Sequence, residues 1–93
     1  MRLELNDFTG QPCKSRVAYE FLPKKDAQLN LEQVAKKLKE NEVYIEIEAP
    51  YLLMLKVNGK DVSLFKSGKI IVKSTQNKTK ARKIAEKLIM KMN

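Results

Sequence analysis

Residues 61–74 read DVSLFKSGKIIVKS, and this stretch decides the fold. Alternate residues of a strand point to opposite faces. Taken as a hairpin, Val62, Leu64, Ile70 and Val72 line one side of the pleat. Phe65 and Ile71 fall on the other side, beside Ser63 and Lys73. An antiparallel sheet in water usually hides one face and wets the other. An aromatic ring and a branched aliphatic on the face that should be wet point to a partner that covers it.

The preceding turn extends the sheet. Asn58-Gly59 tolerates positive φ at both positions and marks a two-residue hairpin. That turn pairs Val57 with Lys60, Lys56 with Asp61, Leu55 with Val62, Met54 with Ser63, Leu53 with Leu64 and Leu52 with Phe65. The next turn, Ser67-Gly68-Lys69, admits two registers. A two-residue loop sets Phe65 across from Ile70. A three-residue loop with Gly68 left-handed sets it across from Ile71. The second sorts the faces consistently. It puts Leu53, Leu55, Val57, Val62, Leu64, Ile70 and Val72 on one side. Leu52, Met54, Lys56, Asp61, Ser63, Phe65, Ile71 and Lys73 share the other.

Upstream, Asn30 and Gln33 form a capping-box pattern ahead of the stripe Leu31, Val34, Ala35 and Leu38, with Asn41 as terminator. Residues 43–48 alternate Val43, Ile45 and Ile47 against Tyr44, Glu46 and Glu48, and Ala49-Pro50 interrupts the strand. Residues 1–22 read as extended. Leu3 and Leu5 alternate with charge, Gly10-Gln11-Pro12 breaks the run, and Val17, Tyr19 and Phe21 alternate again. A second helix follows Thr75, Asn77 and Thr79, three alternative caps. Its stripe is Ala81, Ile84, Ala85, Leu88 and Met92. The expected fold is one α+β domain over residues 1–93. It has a curved antiparallel sheet of about five strands, with two helices on its convex face.

Composition narrows function. The 93 residues carry a formal net charge of +8, which attracts polyanions. There is no histidine, so the commonest general base and metal ligand are missing. Cys13 is the single cysteine, which excludes an internal disulfide and a thiolate cluster; a small half-buried side chain is its simplest reading. No run approaches the about 20 apolar residues of a membrane span, and no signal-peptide core opens the chain. The cytoplasm is the default location. Glu46 and Glu48 form a same-face carboxylate pair, but neither a nucleophile nor a phosphate loop accompanies them. No enzyme, cofactor or metal is expected.

The run from Phe65-Lys66-Ser67-Gly68-Lys69-Ile70-Ile71-Val72-Lys73 through Ala81-Arg82-Lys83-Ile84-Ala85 resembles one repeat of the TATA-box-binding protein family. The shared parts are a strand ending in phenylalanine, a Ser-Gly-Lys turn, an aliphatic strand and a long basic helix. The order of strand, helix, strands, hairpin and helix also matches. The resemblance implies a concave sheet face in the minor groove of DNA and a role in transcription. It implies that Phe65 is a wedge between bases, that Lys69 lies near phosphate, and that Ile71 touches base edges. Lys73 stands where the family has a threonine. Glu48 stands near the family's second wedge, and Leu52 offers a substitute. The family carries two repeats, so a saddle from this chain implies a homodimer. A related single-repeat module precedes the catalytic domain in one ribonuclease H family and grips hybrid duplexes.

The expected function is non-enzymatic binding of duplex nucleic acid, DNA ahead of hybrid or RNA, through Leu52, Met54, Phe65, Lys66, Lys69, Ile71 and Lys73. The alternative is a protein-interaction adaptor that uses the same apolar face. Each residue also has a plainer reading. Phe65 would be core if the hairpin were registered the other way. Lys66, Lys69 and Lys73 would be edge-protecting lysines, and the lysines of the last helix a solvated surface. Lys14 and Arg16 are weaker candidates.

Overall fold

The chain orders its elements as β1 (Phe8–Pro12), β2 (Ala18–Pro23), α1 (Leu31–Glu40), β3 (Tyr44–Ala49), β4 (Leu52–Val57), β5 (Lys60–Phe65), β6 (Ile70–Lys73) and α2 (Lys78–Met92). This computed structural model describes residues 8–12, 18–25, 28–73, 75 and 77–92. Leu3, Leu5, Cys13, Lys14, Arg16 and Val17 lie outside them. The strands form one antiparallel sheet in the order β1-β2-β6-β5-β4-β3. Tyr19, Phe21, Leu53, Leu55, Val62, Leu64, Ile70 and Val72 face one way. They share a single buried cluster with Leu31, Ala35 and Leu38 of α1 and Ala81, Ile84, Ala85 and Leu88 of α2.

The sheet has six strands, not about five. The extra one is β1, and it contains the residues expected to break the chain: Gly10 pairs with Phe21, Gln11 with Glu20 and Pro12 with Tyr19. Proline is tolerated here because β1 ends the sheet and Pro12 ends the strand. Gly10 is required by close approach. A Cβ there would lie 2.7 Å from Phe21 Cε1 and 2.9 Å from Tyr19 Cε1. Those two rings pack at 5.2 Å between centroids and occupy the space.

Helix α1 starts and stops by local chemistry. Asn30 Oδ1 accepts the Gln33 backbone N–H at 3.2 Å, an N-cap. Asn41 is the C-cap, as expected from sequence. Glu42 then turns left-handed at φ 64°. Its N–H donates to Lys39 O at 3.1 Å, and the Val43 N–H donates to Leu38 O at 2.9 Å. This pair of bonds is a Schellman closure, whose left-handed position usually holds glycine. A side chain there costs about 1–2 kcal/mol. Glu42→Gly is therefore expected to raise stability by about 1 kcal/mol, read as a higher urea midpoint with unchanged slope. Helix α2 uses Asn77, one of the three predicted caps, whose Oδ1 accepts from Lys80 N at 3.1 Å. The C-terminal ends of the helices are tied together. Asn41 Nδ2 donates to Lys91 O at 3.0 Å, and Lys91 Nζ donates to Asn41 O at 2.9 Å.

The Asn58-Gly59 hairpin has the predicted register at all six pairs, with φ 52° and 75° in the turn. The second hairpin does not. Its loop is three residues long with Gly68 left-handed at φ 93°, but it spans residues 66–68. Phe65 N donates to Lys69 O at 2.9 Å, and Gly68 N to Phe65 O at 2.9 Å. Ile71 therefore sits across from Ser63, not from Phe65. The shift moves one residue on each strand. Side-chain parity survives, and the two faces stay sorted as expected.

Strand β3 carries a second correction. Ile45 pairs with Leu55, but Ile47 pairs with Met54. Glu46 is the extra residue of a bulge, which inverts the side-chain parity beyond it. Ile47 leaves the expected core stripe and stands 46% exposed. Glu48, now across from Leu53, meets Lys39 of α1 at 2.8 Å. The expected same-face pairing of Glu46 with Glu48 is broken by that bulge.

Candidate nucleic-acid interface

The face turned away from the helices is built from registered rows. One row crosses all six strands as Gln11, Glu20, Ile71, Ser63, Met54 and Ile47, each directly across from the next. The adjacent row holds Ala49, Leu52 and Phe65, and the Phe65 backbone meets Lys69. Leu52, Met54 and Phe65 are half-buried, which leaves each partly open to solvent. Ile71 and Ser63 are buried at 7% and 4% exposure, so they form the floor of the face. Ile71 was expected to stand out with Phe65. It lies low because it sits mid-sheet between Ser63 and Glu20.

The turn that presents Phe65 is anchored at its backbone. Lys66 N donates to Tyr51 O at 2.9 Å, and Lys66 O accepts from Leu29 N at 2.8 Å. This links the turn to the β3–β4 connection and to the approach to α1. Lys66 is left with an exposed side chain. Lys69 Nζ lies over the Phe65 ring, 5.5 Å from its centroid, a cation–π distance. The same Nζ stands 3.5 Å from Glu20 Oε2. Glu20 Oε1 accepts from Gln11 Nε2 at 2.6 Å. Lys73 is half-buried near the far end of β6.

A further ion pair borders the face. Lys56 Nζ stands 2.9 Å from Asp61 Oδ1 across the β4–β5 ladder. The hydrogen bond and the attraction from Lys56 hold the Asp61 carboxyl below its usual 3.8, and the same contacts raise Lys56 above 10.5. The sign follows from linkage. Asp61 adds stability above pH 3.8, and that share is lost as pH falls through its lowered folded value. Lys56 adds stability below pH 10.5, lost as pH rises through its raised folded value. The Tm difference between wild type and Asp61→Asn is expected to be small and positive at neutral pH and to vanish in acid. Thermal melts at stepped pH check it. The pair is exposed, so salt should shrink the difference too.

Sequence reasoning placed Leu52, Met54, Phe65, Ile71 and Lys73 on one face, and the structure puts them there. It missed Ile47. Nothing in the alternation of residues 43–48 signals a bulge, and only the pairing with Met54 reveals it. Tyr44 at 63% and Tyr51 at 64% exposure add apolar surface at this end of the sheet.

A depression of 810 Å³ lies between the start of α1 and the β3–β4 turn, lined by Asn30, Glu32, Glu48, Pro50, Leu53 and Lys66 among others. It holds charges of both signs and no nucleophile–base pair. Among the described residues no group of three or more histidine, cysteine or acidic side chains could hold a metal. No helix among them is long and apolar enough to cross a membrane. No family model, curated protein or solved structure matches the chain.

Proposed function

We propose that this chain is a non-enzymatic nucleic-acid-binding protein that lays its open sheet face against duplex DNA. The observation that carries the reading is the patch of partly open hydrocarbon, Leu52, Met54 and Phe65, on the face opposite both helices of a chain with net charge +8. Apolar side chains on such a face can enter a base step of a widened minor groove. Lysines around it, Lys66, Lys69 and Lys73, neutralise phosphate and set the register of docking without reading sequence. The element order of strand, helix, strands, hairpin and helix supports the resemblance to a TATA-box-binding-protein repeat, with β1 added at one sheet edge. On that resemblance two copies related by a two-fold axis form the DNA-binding saddle.

The test is a titration at low salt of duplex DNA, RNA–DNA hybrid and single strands, with mass measured in the same buffer. Duplex binding is expected to weaken linearly in log Kd against log salt, by about 0.9 for each phosphate neutralised. A monomer that ignores all three nucleic acids sinks the reading. A second reading has its own observation. Ile47, Tyr44 and Tyr51 are exposed at the β3 end of the sheet, next to Glu46, a residue that repels phosphate. That end suits a protein partner, and the adaptor function predicts no salt-dependent duplex binding by wild type or Phe65→Ala.

A further inference from the structure

Glu20 belongs to the row that a polyanion would cover, on β2 next to the edge strand and directly across from Ile71. Its side chain is only 16% exposed, against 35% for its partner Lys69. Both carboxylate oxygens are engaged, Oε1 by Gln11 at 2.6 Å and Oε2 by Lys69 at 3.5 Å. The Lys69 ammonium is thereby held over the Phe65 ring. An oxygen anion, a lysine and an aromatic ring are the groups that a bound phosphodiester and base would bring together here. The anion is already supplied by the protein.

Resting on the DNA-binding reading above, we propose that Glu20 is an internal stand-in for phosphate. It occupies Lys69 in the free protein and must be displaced before Lys69 can meet the nucleic-acid backbone. Glu20 thereby sets the affinity threshold of the face. The ligand class is the phosphodiester of a duplex, which competes with the carboxylate for the same ammonium. A ligand without phosphate gains nothing at Lys69. Gln11 orients the carboxylate, so it acts as a positioning residue.

The experiment is a fluorescence-anisotropy titration of a short labelled DNA duplex across a salt series, with wild type, Glu20→Gln, Lys69→Met and the double variant. Glu20→Gln keeps the size and the acceptor for Gln11 but removes the charge. It is expected to tighten duplex binding about five-fold at low salt with the salt slope unchanged, because Lys69 meets the same phosphate in both complexes. Adding Lys69→Met is expected to erase that gain, because the freed ammonium is what made it. A purely structural role for Glu20 moves Tm without an affinity gain that depends on Lys69. Wild type that binds duplex, with Glu20→Gln at equal affinity, overturns this inference and leaves the DNA-binding reading standing. No binding by wild type and Glu20→Gln alike overturns both. Should Glu20→Gln fail to fold, Glu20→Asp carries the test. Its shorter reach withdraws the carboxylate from Lys69, with a smaller gain expected and none overturning the inference.

Discussion

Phe65→Ala is expected to weaken duplex binding by about 5- to 150-fold with little change in the fold. The range is that of one aromatic side chain stacked on a base, about 1–3 kcal/mol, at about 1.4 kcal/mol for each factor of ten. The ring lies on the face away from the helices, half-buried, and belongs to no part of the buried cluster. Its loss removes the surface under the Lys69 ammonium. It leaves the Lys66 backbone bonds to Tyr51 and Leu29, since those use main-chain atoms. The turn should keep its shape, and Tm should fall far less than for a core truncation. Anisotropy titration beside a thermal melt measures both. A variant that binds like wild type would show that the ring takes no part in docking, and the wedge would be lost from the mechanism.

Leu64→Ala, one residue earlier, is expected to do the reverse. Leu64 is fully buried under the helices, across from Leu53 on one side and Ile70 on the other. Truncating such a leucine costs about 2–5 kcal/mol, through lost transfer energy and the cavity left behind. Domains of this kind have about 5–15 kcal/mol in all. A large fall in the urea midpoint is expected, while the molecules still folded bind duplex as before. Chemical denaturation with titration well below the midpoint separates the two effects. A stability loss under about 1 kcal/mol would contradict the packing described for this layer. The contrast between adjacent residues tests the facing of the sheet directly, because a register slipped by one would exchange their outcomes.

How much of this was legible beforehand depends on the range of the forces involved. The Asn58-Gly59 hairpin was readable to the residue pair, because a two-residue turn with positive φ leaves one register. Both helices were readable from their stripes and caps. Gly10 and Pro12 were readable as unusual but not as strand, because only the neighbouring rings of Tyr19 and Phe21 explain the glycine. Glu42 gave no sign of its left-handed backbone, which Val43 imposes by closing on Leu38.

Alternation and turn chemistry, acting over a few residues, determined by themselves that β4, β5 and β6 pair in series and that Phe65 and Leu64 point opposite ways. Tertiary structure alone decided the bulge at Glu46, which brings Ile47 onto the open face and Glu48 to Lys39. It alone decided that Lys69 meets a carboxylate from β2. Those outcomes depend on which strand lies alongside, and the partners come together only when residues far apart in the chain are packed into one sheet.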